Sequence, residues 1–195
     1  MSATRLLVLG VVRIHGQAHG YRVGRELMDW GAEEWANTKW GSIYHALRKL
    51  SAQGKIRDFV AQGDEEAGRT SYAITEDGEA EFRRLMRRAL SHAGKDYALL
   101  SAGVTLMTGL PRAEVVELLA ERLVGLEKYA EECAEFIGAS DTEWGKPPHV
   151  RELFRLGHHM VATEAAWTRQ LIDSLEAGEY VMADDNPRAF GLPPA

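Results

Sequence analysis

The sequence has a single cysteine, Cys133, and no long apolar run. One cysteine excludes an intramolecular disulfide framework, and a reducing cytoplasm suits such a chain. No apolar segment approaches the roughly 18 residues that a membrane-spanning helix needs. The opening segment, MSATRLLVLGVV, has one arginine and no small-residue cleavage site after it. We therefore interpret it as a folded helix, not a signal peptide, and predict a cytoplasmic protein without a membrane partner.

The sequence also lacks the motifs of common enzymes. It contains no glycine-rich phosphate loop after a strand, no nucleophile elbow, no paired-histidine zinc motif and no candidate triad. His158 and His159 are adjacent, with Glu164 nearby, but neighbouring helical residues point about 100° apart and do not easily chelate one ion. Cys133 lies on an apolar stripe, which is typical of a buried thiol; a redox-sensing disulfide between subunits is the alternative. We expect no enzymatic activity, no metal site and no cofactor.

The net charge of -6 is unevenly distributed along the chain. Residues 1–90 carry 14 Lys and Arg against 12 Asp and Glu, whereas residues 91–195 carry 9 against 17. A mildly basic half is therefore joined to an acidic half. Because the basic excess is small, the placement of the charges must decide whether the chain binds nucleic acid.

The segment from Lys39 to Gly54 predicts a helix with one apolar and one polar face. Ile43, Leu47 and Leu50 recur at helical spacing and form the apolar stripe. The residues off that stripe can hydrogen-bond or carry charge; they are Ser42, Tyr44, His45, Arg48 and Lys49. A helix with this polar face suits the major groove of DNA. The alternative is an ordinary surface helix with a solvated basic side.

The flanks of this segment favour the DNA-binding alternative. Residues 4–15 and 21–30 have helical periodicity, and residues 55–62 and 69–75 alternate as strands do around a polar loop at 63–68. Three helices of which the third is basic, followed directly by a hairpin, predict a winged helix-turn-helix.

Beyond residue 92 the pattern is helical throughout. Thr75 is a good N-cap for a helix that leads into this part, and Pro111 opens a long helix. A last helix runs from about 149 to 177, and its apolar stripe has few partners within the chain, so pairing with a second subunit is expected. We predict a mainly α chain with a small β-hairpin, comprising a winged helix-turn-helix domain (1–92), a helical dimerisation and ligand region (93–182) and a loose tail (183–195).

A pattern spread over the predicted winged helix carries a family resemblance. It consists of His19-Gly20-Tyr21, Gly41-Ser42-Ile43-Tyr44, Ala46-Leu47, Leu50, Gly54, Gly68-Arg69, Tyr72, Thr75 and Gly78. With these residues the first 90 positions closely resemble the PadR family of bacterial transcriptional regulators. The helical remainder resembles the dimerisation region of that family in the order and length of its helices. The resemblance implies a homodimer that represses promoters by binding an inverted repeat and is often released by a small aromatic or drug-like ligand.

The chain departs from the family pattern at two places. His45 stands where the family often has proline, and the wing tip Asp64-Glu65-Glu66 is acidic where basic residues are common. A phosphate contact from the wing is therefore better placed at Arg69 than at the tip.

Two sets of side chains are candidates for binding. The predicted DNA contacts are Lys39, Ser42, Tyr44, Arg48 and Lys49 on the third helix, Tyr21 and Arg22 at the start of the second, and Arg69 in the wing. Lys and Arg supply most of the affinity through phosphates, and few side chains need to read bases. The alternative for Tyr21 and Tyr44 is that they only pack the fold. The predicted ligand contacts are Tyr97, Phe154, Met160 and Trp167, whose alternative is a core or dimer seam; Trp30, Trp35 and Trp40 are candidate packing anchors.

These observations leave two functions open. The first is a ligand-responsive, dimeric transcriptional repressor that binds double-stranded DNA. The second is a protein-interaction module that keeps the winged-helix shape without binding DNA, which the acidic wing tip and the small basic excess favour. The basic and hydroxyl residues of the third helix favour the first function, because packing alone does not require them.

Overall fold

The computed structural model describes residues 2–60, 70–139, 144–186 and 188–190. The helices are α1 (Ser2–His15), α2 (Gly20–Asp29), α3 (Ala32–Ala36), α4 (Trp40–Ala52), α5 (Glu76–Ser91), α6 (Tyr97–Leu106), α7 (Arg112–Gly138) and α8 (Arg151–Glu176). Short 3₁₀ turns lie at Met107–Gly109 and Pro148–Val150. The strands are β1 (Ala18–His19), β2 (Ile56–Val60) and β3 (Thr70–Ile74), which form one antiparallel sheet in the order β1-β3-β2. The prediction of a mainly helical chain with a small hairpin is confirmed.

Helix α4 forms because its apolar residues recur on one side. Ile43, Leu47 and Leu50 are fully buried, as the sequence predicts. The strands β2 and β3 pair from Ile56 opposite Ile74 to Val60 opposite Thr70. Helices α2 to α4 and this hairpin together make the winged helix-turn-helix.

Two short elements of the winged helix are missing from the sequence prediction. Strand β1 pairs Ala18 with Tyr72 of β3, and helix α3 connects α2 to α4. Both are too short to show a period. Helix α3 lies between two left-handed residues, Gly31 at φ 71° and Asn37 at φ 49°.

Helix α5 is joined to the end of α4 at a close backbone contact. The Thr75 hydroxyl accepts a hydrogen bond from the Gly78 backbone N–H at 3.1 Å, which confirms Thr75 as the N-cap. A Cβ atom at Gly78 would lie 1.9 Å from the carbonyl oxygen of Lys55. Glycine is therefore required where α5 crosses the start of the hairpin.

The core is centred on α1, which packs against α4, α5 and α6. Leu6, Leu7, Val8, Leu9, Val11 and Val12 of α1 are all fully buried. The same core includes Leu118 and Leu119 of α7 and Leu175 of α8. The winged helix and the C-terminal helices therefore share one apolar interior, and the division at residue 92 stays a prediction.

The prediction of a loose tail from residue 183 is wrong for residues 183–186 and 188–190. The Ala183 N–H donates to the carbonyl of Leu110, and the Arg112 guanidinium bonds Asp185. The Phe190 ring lies 5.5 Å from the ring of Trp30. Apolar contacts and an arginine on a neighbouring helix hold this segment despite its proline-rich composition.

The ion pairs of Glu81 tie α5 to α1. The Glu81 carboxylate accepts hydrogen bonds from Arg5 and Arg84, each at 2.8 Å. The bond from Arg84, against the opposing effect of burial, holds the pKa of Glu81 at about 2, and Arg5 adds to the lowering. Because this pKa is lower in the folded chain, ionised Glu81 stabilises the fold above about pH 4.5, and the contribution is lost as pH falls towards 2.

We expect Glu81→Gln to lower the free energy of unfolding by about 1–2 kcal/mol at pH 7, since exposed Arg84 is partly screened by water. Urea unfolding at pH 7 and pH 3 measures the effect, and the difference from wild type shrinks at the lower pH. Glu127→Gln is the control, because its pair with Arg169 is half-exposed on both sides. An equal loss at both pH values contradicts the prediction.

Candidate nucleic-acid interface and adjoining pocket

The start of α4 is fixed by a side chain from the predicted interface. The Ser42 hydroxyl accepts a hydrogen bond from the Lys39 N–H at 2.9 Å and donates to the Lys39 carbonyl at 2.7 Å. Ser42 is half-buried, whereas Lys39 is exposed. Ser42 therefore caps the helix, a role that its position three residues after the N-cap makes possible.

The other predicted DNA contacts of α2 and α4 lie on the surface. The exposed residues are Tyr21, Arg22, Lys39, Tyr44, Arg48 and Lys49. Helix α2 begins at a cap in which His19 Nδ1 accepts from the Arg22 N–H at 3.0 Å. Arg48 lies near Tyr72 of β3, whose pKa is raised by burial and by the charge of Asp58, with Arg48 opposing. The basic face of α4 thus extends to the root of the hairpin.

Four rings form a row across α2 and α4, which we call the aromatic row: His19, Tyr21, Trp40 and Tyr44. Successive ring centroids lie 6.3, 5.7 and 6.3 Å apart, with interplanar angles of 17°, 23° and 24°. These separations are those of stacked aromatic pairs. The sequence predicts a packing role for Trp40, and in the structure 39% of the residue is also exposed. The sequence shows the rings but not the crossing of α2 and α4 that stacks them.

The predicted wing contact, Arg69, lies outside the described residues, and so does the acidic tip at 64–66. Their part in DNA binding stays a prediction.

A second concave site lies between α3, α6 and α8. It has a volume of about 820 Å³, and its walls include Trp35, Tyr97, Met160 and Trp167. Phe154 lines an adjoining cavity of about 540 Å³, which shares Tyr97 and Met160 with the first. The structure therefore gathers the four predicted ligand contacts around two neighbouring cavities. It also adds Trp35, whose Nε1 donates to the Trp30 carbonyl at 2.9 Å.

A buried ion pair lies behind these cavities. Arg122 of α7 is 1% exposed and donates hydrogen bonds to Glu164 of α8 and to the carbonyl of His92, the C-cap of α5. Tyr97 and Glu164 line the same cavity, and the pKa of Tyr97 is raised by its burial and by that carboxylate. The hydrogen bonds of Arg122 therefore join the end of α5, α7 and α8. The sequence prediction does not include Arg122, although its position in phase with Leu118 and Leu126 is a signal that it faces the interior.

Two further properties concern the described part of the chain only. No group of three or more His, Cys, Asp or Glu side chains there is arranged to hold a metal ion. Among the helices of these residues, none combines the length and the apolar composition that a bilayer crossing requires.

Helices α2 to α4, with a paired hairpin after them, define a winged helix-turn-helix, a class of DNA-binding domain. Residues 8–84 match the model of the transcriptional regulator PadR-like family. Residues 8–84 therefore form a PadR-like family domain, as the resemblance predicts. No curated protein matches the chain.

Several solved structures are similar over most of the chain. The structure of Bacillus subtilis PadR in complex with operator DNA is 18% identical over 88% of this chain and 98% of that one, with a TM-score of 0.38. The complex of B. subtilis PadR with p-coumaric acid is 17% identical over 89% and 96%, with a TM-score of 0.37. A PadR-like transcriptional regulator from Bacillus cereus is 18% identical over 88% and 94%, with a TM-score of 0.39. At these TM-scores the family assignment rests on residues 8–84.

Proposed function

We propose that the protein is a homodimeric transcriptional repressor that binds an inverted-repeat operator and is released by a small aromatic ligand. The observation that carries DNA binding is the exposed face of α4, with Lys39, Arg48 and Lys49 around Tyr44. This helix occupies the recognition position of a winged helix in a PadR-like domain.

The proposed contacts divide by chemistry. Arg22, Lys39, Arg48 and Lys49 bind phosphates, and Arg69 adds a phosphate contact from the wing. Tyr21 and Tyr44 contribute hydroxyls at the exposed ends of rigid rings. Ser42 acts mainly through the cap that orients Lys39.

The dimer contact is proposed on α8. Leu153 and Leu156 lie on one side of α8 and are exposed in a single chain, by 67% and 58%. Such an exposed stripe marks a protein contact, and a second copy of α8 supplies a matching one. Residues 93–182 then form the dimerisation region and residues 1–92 the DNA-binding domain. Two copies of α4 lie about one DNA turn apart, ~34 Å, on a pseudo-palindrome.

The ligand is proposed to occupy the cavities lined by Tyr97, Phe154, Met160 and Trp167. An apolar concavity with a few polar groups is the usual form of a small-molecule site. Through Glu164 and Arg122 these cavities adjoin the end of α5. A ligand that displaces Glu164 therefore changes a contact of the DNA-binding domain.

Fluorescence anisotropy tests the DNA-binding part. The protein is titrated onto duplex DNA from upstream of its own gene and onto a shuffled duplex, at two salt concentrations. We expect a preference of about 10³ or more for the native duplex and a steep loss of affinity in salt. Weak, sequence-blind binding that persists on pooled genomic fragments contradicts the proposal and favours the protein-interaction module. Light scattering of the free protein tests the dimer.

A separate prediction concerns the cavity. Trp167→Ala removes an aromatic side chain from the wall of the cavity. We expect that about tenfold more ligand is then needed to release half of the DNA, because one aromatic contact with the ligand is lost. The measurement screens small aromatic compounds, p-coumaric acid included, for release of labelled DNA, and then compares the variant with wild type. Each protein is normalised to its own affinity without ligand. Equal potency on both proteins places the ligand elsewhere.

A further inference from the structure

Trp40 is an exposed member of the aromatic row, as Tyr21 and Tyr44 are. It is the first residue of α4. In helix-turn-helix domains the N-terminal residues of the recognition helix are those that meet base edges. A large apolar side chain at this position is placed against the groove if α4 enters it.

The orientation of the Trp40 ring is fixed by its neighbours. Tyr21 and Tyr44 stack on it at 5.7 and 6.3 Å. A Cβ atom at Gly24 would lie 2.1 Å from a carbon of the ring, so the indole fits against α2 only because position 24 is glycine. A side chain held in this way loses little conformational entropy when it binds.

The Trp40 side chain can make two kinds of contact. Its indole offers an apolar ring and one N–H donor. Within the described residues the indole N–H of Trp40 makes no hydrogen bond, and 39% of the residue is exposed. In the major groove, thymine is the base whose edge combines an apolar methyl group with a carbonyl acceptor.

We propose that Trp40 is a specificity-determining residue that recognises thymine through its C5-methyl group. This inference rests on the DNA-binding function proposed above, and it adds an uncharged contact to those of Lys39, Arg48 and Lys49. Trp40 confers sequence preference, whereas the lysines and arginine confer affinity that depends on salt.

The test uses a duplex that the wild-type protein enriches from a random pool. Each thymine is then replaced by deoxyuridine, which differs only in lacking the methyl group. We expect wild type to bind about fourfold more weakly for each recognised methyl, the value of burying one such group. Trp40→Ala is expected to bind the thymine and uracil duplexes equally, with an unchanged salt slope because no phosphate contact is lost.

Two variants make this test decisive. Trp40→Phe keeps a ring against Gly24 and is the substitute if circular dichroism shows that Trp40→Ala does not fold. A smaller preference for thymine in Trp40→Phe then supports the proposal, and an unchanged preference overturns it. Trp144→Phe is the control, because Trp144 packs on Phe136 and Phe154 of the C-terminal helices.

Three results overturn the proposal. One is a folded Trp40→Ala that keeps the wild-type preference for thymine. Another is a wild type that ignores deoxyuridine at every position of a duplex it binds specifically. A wild type that enriches no duplex overturns the DNA-binding function itself, and that failure is seen before any thymine is replaced.

Discussion

Glu164→Ala lowers the free energy of unfolding by about 3 kcal/mol, because it leaves the guanidinium of Arg122 buried without its counter-charge. Arg122 is 1% exposed, and its Nε already has no hydrogen-bond partner among the described residues. Breaking a buried pair from one side costs about 3–5 kcal/mol. Glu164 lines the adjoining cavities, so its truncation opens the guanidinium to water there, which places the expected loss at the lower end.

Urea unfolding followed by circular dichroism measures this loss, at one protein concentration because the unfolding of the proposed dimer depends on concentration. The control replaces both partners by apolar residues, Arg122→Met with Glu164→Leu. We expect the double variant to lie within about 1–2 kcal/mol of wild type, since no unpaired charge stays buried and only the bond to His92 is lost. A double variant as unstable as Glu164→Ala would contradict this explanation.

The periodic parts of the fold are predictable because burial follows a repeating pattern. Ile43, Leu47 and Leu50 predict α4, and the alternation on either side of residues 63–68 predicts the hairpin. Thr75 predicts the start of α5 because an N-cap is a local interaction. Each of these signals lies within one element, so no knowledge of the packing is needed.

The parts that depend on contacts between elements are not predictable in this way. Helix α3 and strand β1 are short, and their partners lie elsewhere in the chain. The tail through Phe190 is held by Trp30 and Arg112, which composition does not show. The aromatic row and the Arg122–Glu164 pair arise in the same way, from contacts between helices that are separated in the sequence.

For the candidate site, the sequence predicts which face of α4 is polar but not what each polar group does. Ser42 has the right residue type for a DNA contact, yet its hydroxyl is used in the helix cap. Trp40 looks like a packing residue, yet a large part of it is exposed. For Arg48 and Lys49 of α4 the sequence pattern and the surface agree, since both are charged and exposed.

We therefore expect Arg48→Ala with Lys49→Ala to weaken binding to the enriched duplex about 50-fold for each half-site at 0.1 M salt. Each phosphate contact contributes about 0.9 to the slope of log affinity against log salt, which corresponds to roughly eightfold at this concentration. Two lost contacts also reduce the slope by about two for each half-site. Preference for the native duplex over a shuffled one is expected to stay, because these side chains bind phosphates.

A matched control separates local contact from overall charge. Lys128→Ala with Arg169→Ala removes the same two positive charges from exposed positions on α7 and α8. Its effect on DNA affinity is expected to be small, because exposed charges beyond a Debye length of about 10 Å are screened at 0.1 M salt. Equal losses in both double variants would mean that net charge, not the face of α4, drives binding. An unchanged salt slope in the α4 variant would remove Arg48 and Lys49 from the interface.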